Sequence, residues 1–276
     1  MQTQSNRQLW AQAVKTGIIK SNLIPMIAAL MLALYTYELD FIEHIPAIIF
    51  AFLGTAAVIA AAGAYNNVYD RDIDKIMPRT KLRPTVTGQL SAKQVLVTAT
   101  LLLLAGLVLL YFATPLAAFL GFLGVFFYVV PYTMWTKRRT IWNTEVGSIS
   151  GAMPPLIGWA AVAPDIWHPA AWALFLIMVI WQMPHFYAIA IRKKDDYAAA
   201  NIPMLPVVKG ERRTYIQSNI YLVLLILSSF LFLPLSSGLT IVSIILGIIW
   251  LAMSITASKK KEQKKWANKM FAYSLF

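Results

Sequence analysis

The sequence predicts an all-α integral membrane fold. Hydrophobic residues make up 59% of the 276 residues and charged residues only 13%, about half the charged share of an ordinary soluble domain. The apolar residues fall into blocks of roughly 20, the length at which a helix crosses a bilayer. Because lipid offers the backbone no hydrogen-bond partner, only helices or a closed barrel can span it, and continuous apolar runs without alternation favour helices.

Eight such blocks follow one another along the chain, so we expect a single polytopic membrane domain over residues 1–276. They lie at about 17–37, 46–67, 93–113, 115–135, 145–163, 169–191, 214–235 and 238–257. The segment from Trp266 to Phe276 resembles the start of a ninth span, and we expect it to be truncated. The absence of cysteine excludes disulfides, thiolate metal sites and a cysteine nucleophile.

The basic residues predict on which side of the membrane each connection lies. All 24 Lys and Arg precede or open the first span, follow spans two, four and six, or lie in the C-terminal tail. The other connections carry acidic residues, namely Glu38, Asp40, Glu43 and Asp165. This asymmetry predicts a cell-membrane protein whose N-terminus and long basic loops are cytoplasmic. The net charge of +12 is therefore mainly a topology signal, and we expect no nucleic-acid partner.

The connection after span two combines carboxylates with cations. Asn66, Asp70 and Asp74 recur every four residues, so a helix that continues through them places all three on one face. Such oxygen ligands suit Mg²⁺, which takes one or two carboxylates together with substrate phosphates. Cations suited to phosphate oxygens follow: Arg79, Lys81 and Arg83. A diphosphate site and a solvated helix end with local ion pairs fit this spacing about equally well.

The connection after span six holds a second acidic stretch. Asp195 and Asp196 follow directly on Lys193 and Lys194. One interpretation is a second acidic arm that faces the first across the bundle. The other, which is the commoner outcome for runs of charge, is an interfacial loop whose side chains pair with one another.

Span six itself carries a histidine. His185 lies about two turns before the end of the span, where an ionisable group is costly and often functional. Its imidazole is suited to bind a haem iron, to act as a base, or simply to bond a backbone carbonyl. The preceding Pro184 is expected to free a carbonyl and kink the helix.

Span five and the loop before it supply further candidates. The loop contributes Arg138 and Asn143, and the span opens with Glu145, a favourable acid for a first turn. Pro154 and Pro155 are expected to interrupt the span. An ordinary kink and a broken helix beside a cavity are equally compatible with this pair of prolines.

These stretches resemble a known family. NNVYDRDID followed by KIMPRTKLRP is similar to the first Asp-rich motif of the UbiA superfamily of intramembrane prenyltransferases. Within it, the similarity is closest to the branch that farnesylates haem, on the segments TKRRTIWNTEVGSISGAMPPLIGWAA, QMPHFYAIAIRKKDDYAAANIPMLPVV and WANKMFAYSLF. The resemblance covers essentially the whole chain. It implies nine transmembrane helices in a ring-like bundle around a lipid-facing cavity, of which eight would be complete in this chain.

The resemblance also implies the reaction and its site. The donor would be farnesyl diphosphate, bound with Mg²⁺ by two Asp-rich motifs, and the acceptor a vinyl group of haem B. The implied metal ligands are Asn66, Asp70, Asp74 and Asp195, and Asp196 joins them as a catalytic candidate. The second motif departs from the family pattern because its first aspartate falls on Ile191, which puts a symmetric two-metal cage in doubt.

The remaining candidates follow from the same resemblance. Arg79, Lys81, Arg83, Lys193 and Lys194 would bind the diphosphate, and His185, Arg138 and Asn143 the haem. Beyond the substrates and the lipid bilayer, candidate partners are a haem A synthase and the assembly proteins of a terminal oxidase. One rival function is prenylation of an aromatic quinone precursor, against which the His185 stretch argues. A transporter would need polar residues at mid-span and paired half-repeats, which the sequence lacks.

Overall fold

The computed structural model describes residues 5–163, 165–259 and 263–275, whose regular secondary structure is helical with no strand among them. They pack as two compact units. The first unit extends to Trp135 and also includes Met153–Ile166; the second comprises Thr136–Ala152 and the chain from Trp167 onward. The all-α prediction is confirmed, whereas the assignment of a single domain stays a prediction.

The first unit contains eight α-helices and one π-helical segment within its described residues. The helices are α1 (Asn6–Ala13), α2 (Thr16–Thr36), α3 (Ile45–Tyr69), α4 (Arg71–Asp74), α5 (Pro84–Thr87), α6 (Ala92–Ala113), α7 (Pro115–Phe127) and, from the later segment, α9 (Met153–Val162). Residues Tyr128–Trp135 continue α7 as a π-helix. The largest packing surfaces join α3 to α6 and α2 to α9.

The second unit is built around α10. Its α-helices are α8 (Asn143–Gly151), α10 (Pro169–Arg192), α11 (Lys194–Ala199), α12 (Leu205–Val208), α13 (Gly210–Ser228), α14 (Ser237–Lys259) and α15 (Gln263–Tyr273). Helix α10 packs against α8, α13 and α15, and α14 packs against α13 and α15. Short 3-10 turns at Thr136–Arg138 and Ser229–Phe232 complete it.

Seven helical stretches in the described part of the chain are long and apolar enough to cross a membrane. They are Thr16–Thr36, Ile45–Tyr69, Ala92–Ala113, Pro115–Arg138, Pro169–Arg192, Gly210–Phe232 and Ser237–Thr256. The chain is therefore a multi-pass membrane protein. Seven of the eight predicted spans correspond to these stretches, and the predicted fifth span does not.

The fifth predicted span is two helices, α8 and α9, separated by a turn at Ala152. The interruption was expected at Pro154 and Pro155, and it lies just before them. A proline has no N–H for the carbonyl four residues earlier, so these two prolines cannot continue α8. They are tolerated in the first turn of α9, where the N–H groups have no partner within the helix.

The segment predicted to start a ninth span forms α15. This helix has 11 residues and buries Trp266, Ala267 and Met270 in the second unit. They share an apolar cluster with Ile191 and Leu222 of that unit. The tail is thus an integral part of the packing of α10, which matters for the histidine that α10 carries.

Close helix contact in the first unit depends on a missing side chain. At Gly158 of α9, an added Cβ would lie 2.1 Å from the carbonyl oxygen of Met26 in α2 and 2.9 Å from its carbonyl carbon. Met26 and the neighbouring Ala29 and Ala33 are fully buried. Between membrane helices, where no hydrophobic effect drives association, such close backbone contact supplies much of the packing energy.

We therefore expect Gly158→Ala to destabilise the protein by at least about 1–3 kcal/mol, because a backbone atom and not a flexible side chain blocks the new methyl group. Gly17→Ala in α2 is the matched control, since no atom lies within 4 Å of its added Cβ. That control should be neutral or stabilise by up to about 1 kcal/mol. Thermal unfolding midpoints of the purified proteins in detergent measure both, and equal midpoints for the two variants would contradict the packing argument.

Candidate functional site

The first acidic motif lies where α3 ends and α4 begins. The backbone N–H of Asp70 donates to the carbonyl of Asn66 at 2.9 Å, and that of Asp74 to the carbonyl of Asp70 at 2.8 Å. The helical spacing therefore continues through the turn at Asp70, and the three side chains share one face as predicted. They are 2%, 0% and 3% exposed for Asn66, Asp70 and Asp74, respectively. A solvated helix end would not be buried to this extent.

The amide of Asn66 is fully engaged. Its Nδ2 donates to Asp70 Oδ2 at 2.8 Å and to the hydroxyl of Thr133 at 2.9 Å. Its Oδ1 accepts a hydrogen bond from the ammonium of Lys15. Thr133 belongs to the π-helical segment, a geometry that often occurs at functional sites. The amide nitrogen is thus turned to oxygen atoms and the amide oxygen to a cation.

Lys15 reaches this face through an unusual backbone conformation. It has φ 56° and ψ 56°, in the left-handed region, at the start of α2. The preceding turn is fastened to α3 because Asn67 Nδ2 donates to the carbonyls of Gln12 (3.1 Å) and Ala13 (2.7 Å). Gly63 of α3 allows the close approach, since a Cβ there would lie 2.9 Å from the carbonyl oxygen of Val14. Sequence reasoning used Lys15 only as a topology marker.

The cations predicted to grip phosphate differ in their surroundings. Arg83 Nη1 lies 2.5 Å from Asp74 Oδ2, with Arg83 mostly buried. Thr80 supports the same turn by donating to the carbonyl of Asp74 at 3.1 Å. Arg79 and Lys81 are exposed. The structure therefore brings Arg83 to the acidic face.

The second acidic stretch lies at the start of α11. Asp195 is exposed, and half-buried Asp196 has a loose contact of 3.9 Å with Lys193. Lys194 pairs instead with Glu211 of α13 at 2.6 Å. A long, partly exposed contact such as that between Lys193 and Asp196 contributes little to the free energy of unfolding. The side chains of this stretch thus pair among themselves and with α13.

Position 191, where the resemblance implies an aspartate, holds a buried isoleucine. Ile191 is buried among Ala188, Leu222 and Trp266 in the apolar cluster on α10. A carboxylate at this position would lose its hydration without gaining a partner from that cluster, which costs several kcal/mol. The apolar surroundings of position 191 therefore suit an isoleucine better than the aspartate that the resemblance implies there.

His185 of α10 is enclosed by aromatic rings. The indole of Trp181 stacks on the imidazole at 4.9 Å between centroids, and Phe186 and Phe271 lie at 5.1 and 5.3 Å. Its Nδ1 lies 2.6 Å from the hydroxyl of Ser274, directly after α15. Among the described residues, the hydrogen-bond partner of His185 is therefore a serine hydroxyl. The third expected role, a hydrogen bond to a backbone carbonyl, is not observed.

Two further candidates, Asn143 at the start of α8 and Arg138 just before it, differ in their surroundings. Asn143 directs its amide hydrogens to the carbonyls of Thr140 (2.7 Å) and Pro203 (3.3 Å), so it holds two loop segments together. Arg138 is half-buried. The hydrogen-bond donors of Asn143 are therefore already committed to the backbone.

Sequence reasoning missed a buried polar cluster centred on Glu145. Its Oε1 accepts from the hydroxyl of Tyr187, from Gln217 Nε2 at 2.8 Å and from the hydroxyl of Tyr221 at 3.4 Å. Its Oε2 is buried and has no hydrogen-bond partner in the part of the chain that the structure describes. The partners lie on α10 and α13, so no local pattern in the sequence signals the cluster.

The donor chemistry at the first motif suits a divalent ion. Within residues 5–163, 165–259 and 263–275, no group of three or more histidine or acidic side chains is arranged to hold a metal ion. Two buried carboxylates and an amide on one helical face match the set that Mg²⁺ accepts when phosphate oxygens complete its coordination. The cation already on Asn66 Oδ1 marks this face as one that attracts positive charge.

Comparisons with known proteins agree with this architecture. Two solved structures share the fold: a digeranylgeranylglyceryl phosphate synthase (TM-score 0.78, 18% identity, 97% of this chain and 92% of the other), and a UbiA homologue from Archaeoglobus fulgidus bound to GPP and Mg²⁺ (TM-score 0.68, 13% identity, 97% and 98%). At such identities the likeness concerns the fold alone.

Closer similarity is found among curated sequences. Protoheme IX farnesyltransferase 2 of Lysinibacillus sphaericus is 64% identical over 99% of this chain and 86% of its own length. Protoheme IX farnesyltransferase 1 of Bacillus cytotoxicus is 62% identical over 98% of this chain and 88% of its own. The model of the UbiA prenyltransferase family matches residues 22–276. The chain therefore belongs to the UbiA prenyltransferase family.

Proposed function

We propose that this protein transfers the farnesyl group of farnesyl diphosphate to a vinyl group of haem B, with addition of water and release of diphosphate, to give haem O. The observation that carries the proposal is the 64% identity, over 99% of the chain, to a protein named protoheme IX farnesyltransferase. The buried acidic face at the end of α3 supplies the matching chemistry for a diphosphate donor.

At this face, Asn66, Asp70 and Asp74 are the residues that would hold Mg²⁺. Bound there, the ion would offset the negative charge that grows on the diphosphate as its bond to the farnesyl carbon breaks. Thr133 and Asp70 fix the amide nitrogen of Asn66, so its amide oxygen faces the position that the Lys15 ammonium holds in this structure. Lys15 would have to exchange Asn66 for a phosphate oxygen when the ion binds there. Lys15 adds a positive charge beside it.

The cations around the motif neutralise charge on the donor. We assign diphosphate binding to Arg79, Lys81 and Arg83, of which Arg83 already lies on Asp74. In the second unit we assign a contribution to metal binding to Asp195, a catalytic role to Asp196, and diphosphate binding to Lys193 and Lys194. The pairing of Lys194 with Glu211 means that this lysine would have to exchange partners to contact phosphate.

For the acceptor, we assign His185 to the porphyrin and Arg138 and Asn143 to its surroundings. Arg138 is the better candidate for a propionate, because a guanidinium carries five donors whereas the amide hydrogens of Asn143 are used by backbone carbonyls. The basic loops are cytoplasmic and the membrane is the plasma membrane in this proposal, as the distribution of Lys and Arg predicts. A haem A synthase or oxidase assembly proteins would receive the product.

The direct test is mass analysis of haems extracted from membranes with and without this protein, supplied with farnesyl diphosphate, haem B and Mg²⁺. The expected result is haem O that depends on the protein. A quinone precursor offered in place of haem tests the rival acceptor. Prenylation of that precursor without any haem O would overturn the proposal.

We expect Asp70→Asn and Asp74→Asn to lower diphosphate release by at least about 10-fold and to raise the Mg²⁺ concentration needed for half-maximal rate, because each removes a charge from the metal face. Asp72→Asn, an exposed aspartate of the same short helix, is the matched control and should keep the wild-type rate. If all three substitutions had equal effects on the rate and on the Mg²⁺ dependence, the lower rate would result from the loss of negative charge as such and not from the buried position of Asp70 and Asp74.

Replacement of Lys15 tests the cation beside Asn66. We expect Lys15→Met to raise the KM for farnesyl diphosphate by about 10-fold or more, because it removes the ammonium that would bind a phosphate oxygen of the donor. Such a charge-assisted hydrogen bond is worth roughly 1.5–3 kcal/mol. Lys20→Met, an exposed lysine of the same helix, controls for the loss of net charge. The steady-state rate as a function of donor concentration measures both, and an unchanged KM in Lys15→Met would remove Lys15 from donor binding.

A further inference from the structure

The hydroxyl group of Ser274 lies between two hydrogen-bond partners. Its Oγ is 2.6 Å from His185 Nδ1 and 2.7 Å from the carbonyl oxygen of Phe271. The serine is 5% exposed and follows α15 directly, whereas the histidine lies 89 positions earlier on α10. The tail of the chain thus supplies a polar contact to a half-buried imidazole.

The positions of the hydrogens follow from counting donors. A serine hydroxyl has one hydrogen, and a carbonyl oxygen has none. The contact with Phe271 is a hydrogen bond only if Ser274 donates to it, so toward His185 the same oxygen must accept. The hydrogen in the second bond therefore belongs to Nδ1 of His185. In a neutral imidazole this leaves Nε2 without a hydrogen and with its lone pair available.

Three aromatic side chains also restrict the orientation of the His185 imidazole. Trp181 stacks on it with an interplanar angle of 19°, and Phe271 lies against it at 34°. Phe186 meets it edge-on at 79°. Among the described residues, the imidazole makes no second hydrogen bond besides that to Ser274. Rotation that would exchange the two nitrogens therefore has to break both the aromatic stacking and the hydrogen bond.

We propose that Ser274 is a positioning residue that holds His185 as the Nδ1–H tautomer, so that Nε2 is presented as a ligand for the iron of the haem substrate. Metal-binding histidines commonly donate their other ring N–H to an acceptor, which fixes the tautomer and the ring orientation. The inference rests on the proposed function, because that function supplies the haem. It gives α15 a second role in addition to its packing on α10.

The tautomer is measured first, in haem-free protein, by ¹⁵N NMR of histidine-labelled samples in detergent or nanodiscs. His185→Ala identifies the resonances among the three histidines of the chain. We expect wild-type Nδ1 to show the shift of a protonated ring nitrogen and Nε2 that of an unprotonated one. Ser274→Ala should lose this preference, and Ser274→Thr, which keeps a hydroxyl, should retain it.

Haem titration with absorption spectra gives the second measurement. We expect Ser274→Ala to weaken haem binding by about 10–100-fold and to change the spectrum of the bound iron, as loss of a partner to a metal-binding histidine does. Ser228→Ala is the matched control, because the hydroxyl of this buried serine of the same unit bonds, among the described residues, only the carbonyl of Leu225. It should leave the affinity and the spectrum unchanged.

An Nε2–H tautomer in the wild type would overturn the inference, and so would a Ser274→Ala variant with wild-type haem affinity and spectrum. Both results leave the proposed function intact, provided that haem O is still formed. A wild-type protein that neither binds haem nor forms haem O would instead reject the proposed acceptor, and the inference with it. Thermal midpoints of all variants separate these outcomes from a loss of folding.

Discussion

The acidic face of the first unit depends on how one buried amide is held. Asn66 uses both amide hydrogens, on Asp70 and Thr133, and its oxygen accepts from Lys15. These partners belong to the end of α3, to the π-helical segment and to the turn before α2, so one side chain joins three segments. In a low-dielectric interior an unpaired polar atom costs more than a made hydrogen bond gains. Full pairing of the amide therefore fixes the carboxylate of Asp70 as well.

The sequence predicts this face but not its burial. The spacing of Asn66, Asp70 and Asp74 is sufficient for a shared face, because helical geometry is local. The contribution of Lys15 depends on a left-handed backbone conformation and on the close approach permitted at Gly63, and neither has a local sequence signature. Ion pairs are subject to the same limitation. The sequence shows which cations lie near each acidic stretch, whereas only the fold shows which carboxylate each cation contacts.

Composition is enough to predict the helical membrane fold, yet it overcounts the spans. Hydropathy averages over a window, so it merges α8 and α9 into one apolar stretch although the backbone turns at Ala152. The prolines after that turn carry the relevant signal, since they withdraw two hydrogen-bond donors at once. The polar cluster of Glu145 in α8 lies beyond any window method, because its partner Gln217 is 72 positions away.

The hydrogen bond from His185 to the neutral hydroxyl of Ser274 is better suited to a histidine that would bind a substrate than to one that would hold a resident cofactor. A carboxylate acceptor on Nδ1 would make the imidazole a stronger electron donor and so strengthen its bond to a metal. Ser274 is a neutral acceptor whose own hydrogen is committed to Phe271, so it orients the ring without adding negative charge. Haem must enter and its farnesylated product must leave in every turnover. If His185 binds the haem iron as proposed, a histidine that is well oriented but receives no added negative charge would allow both entry and release.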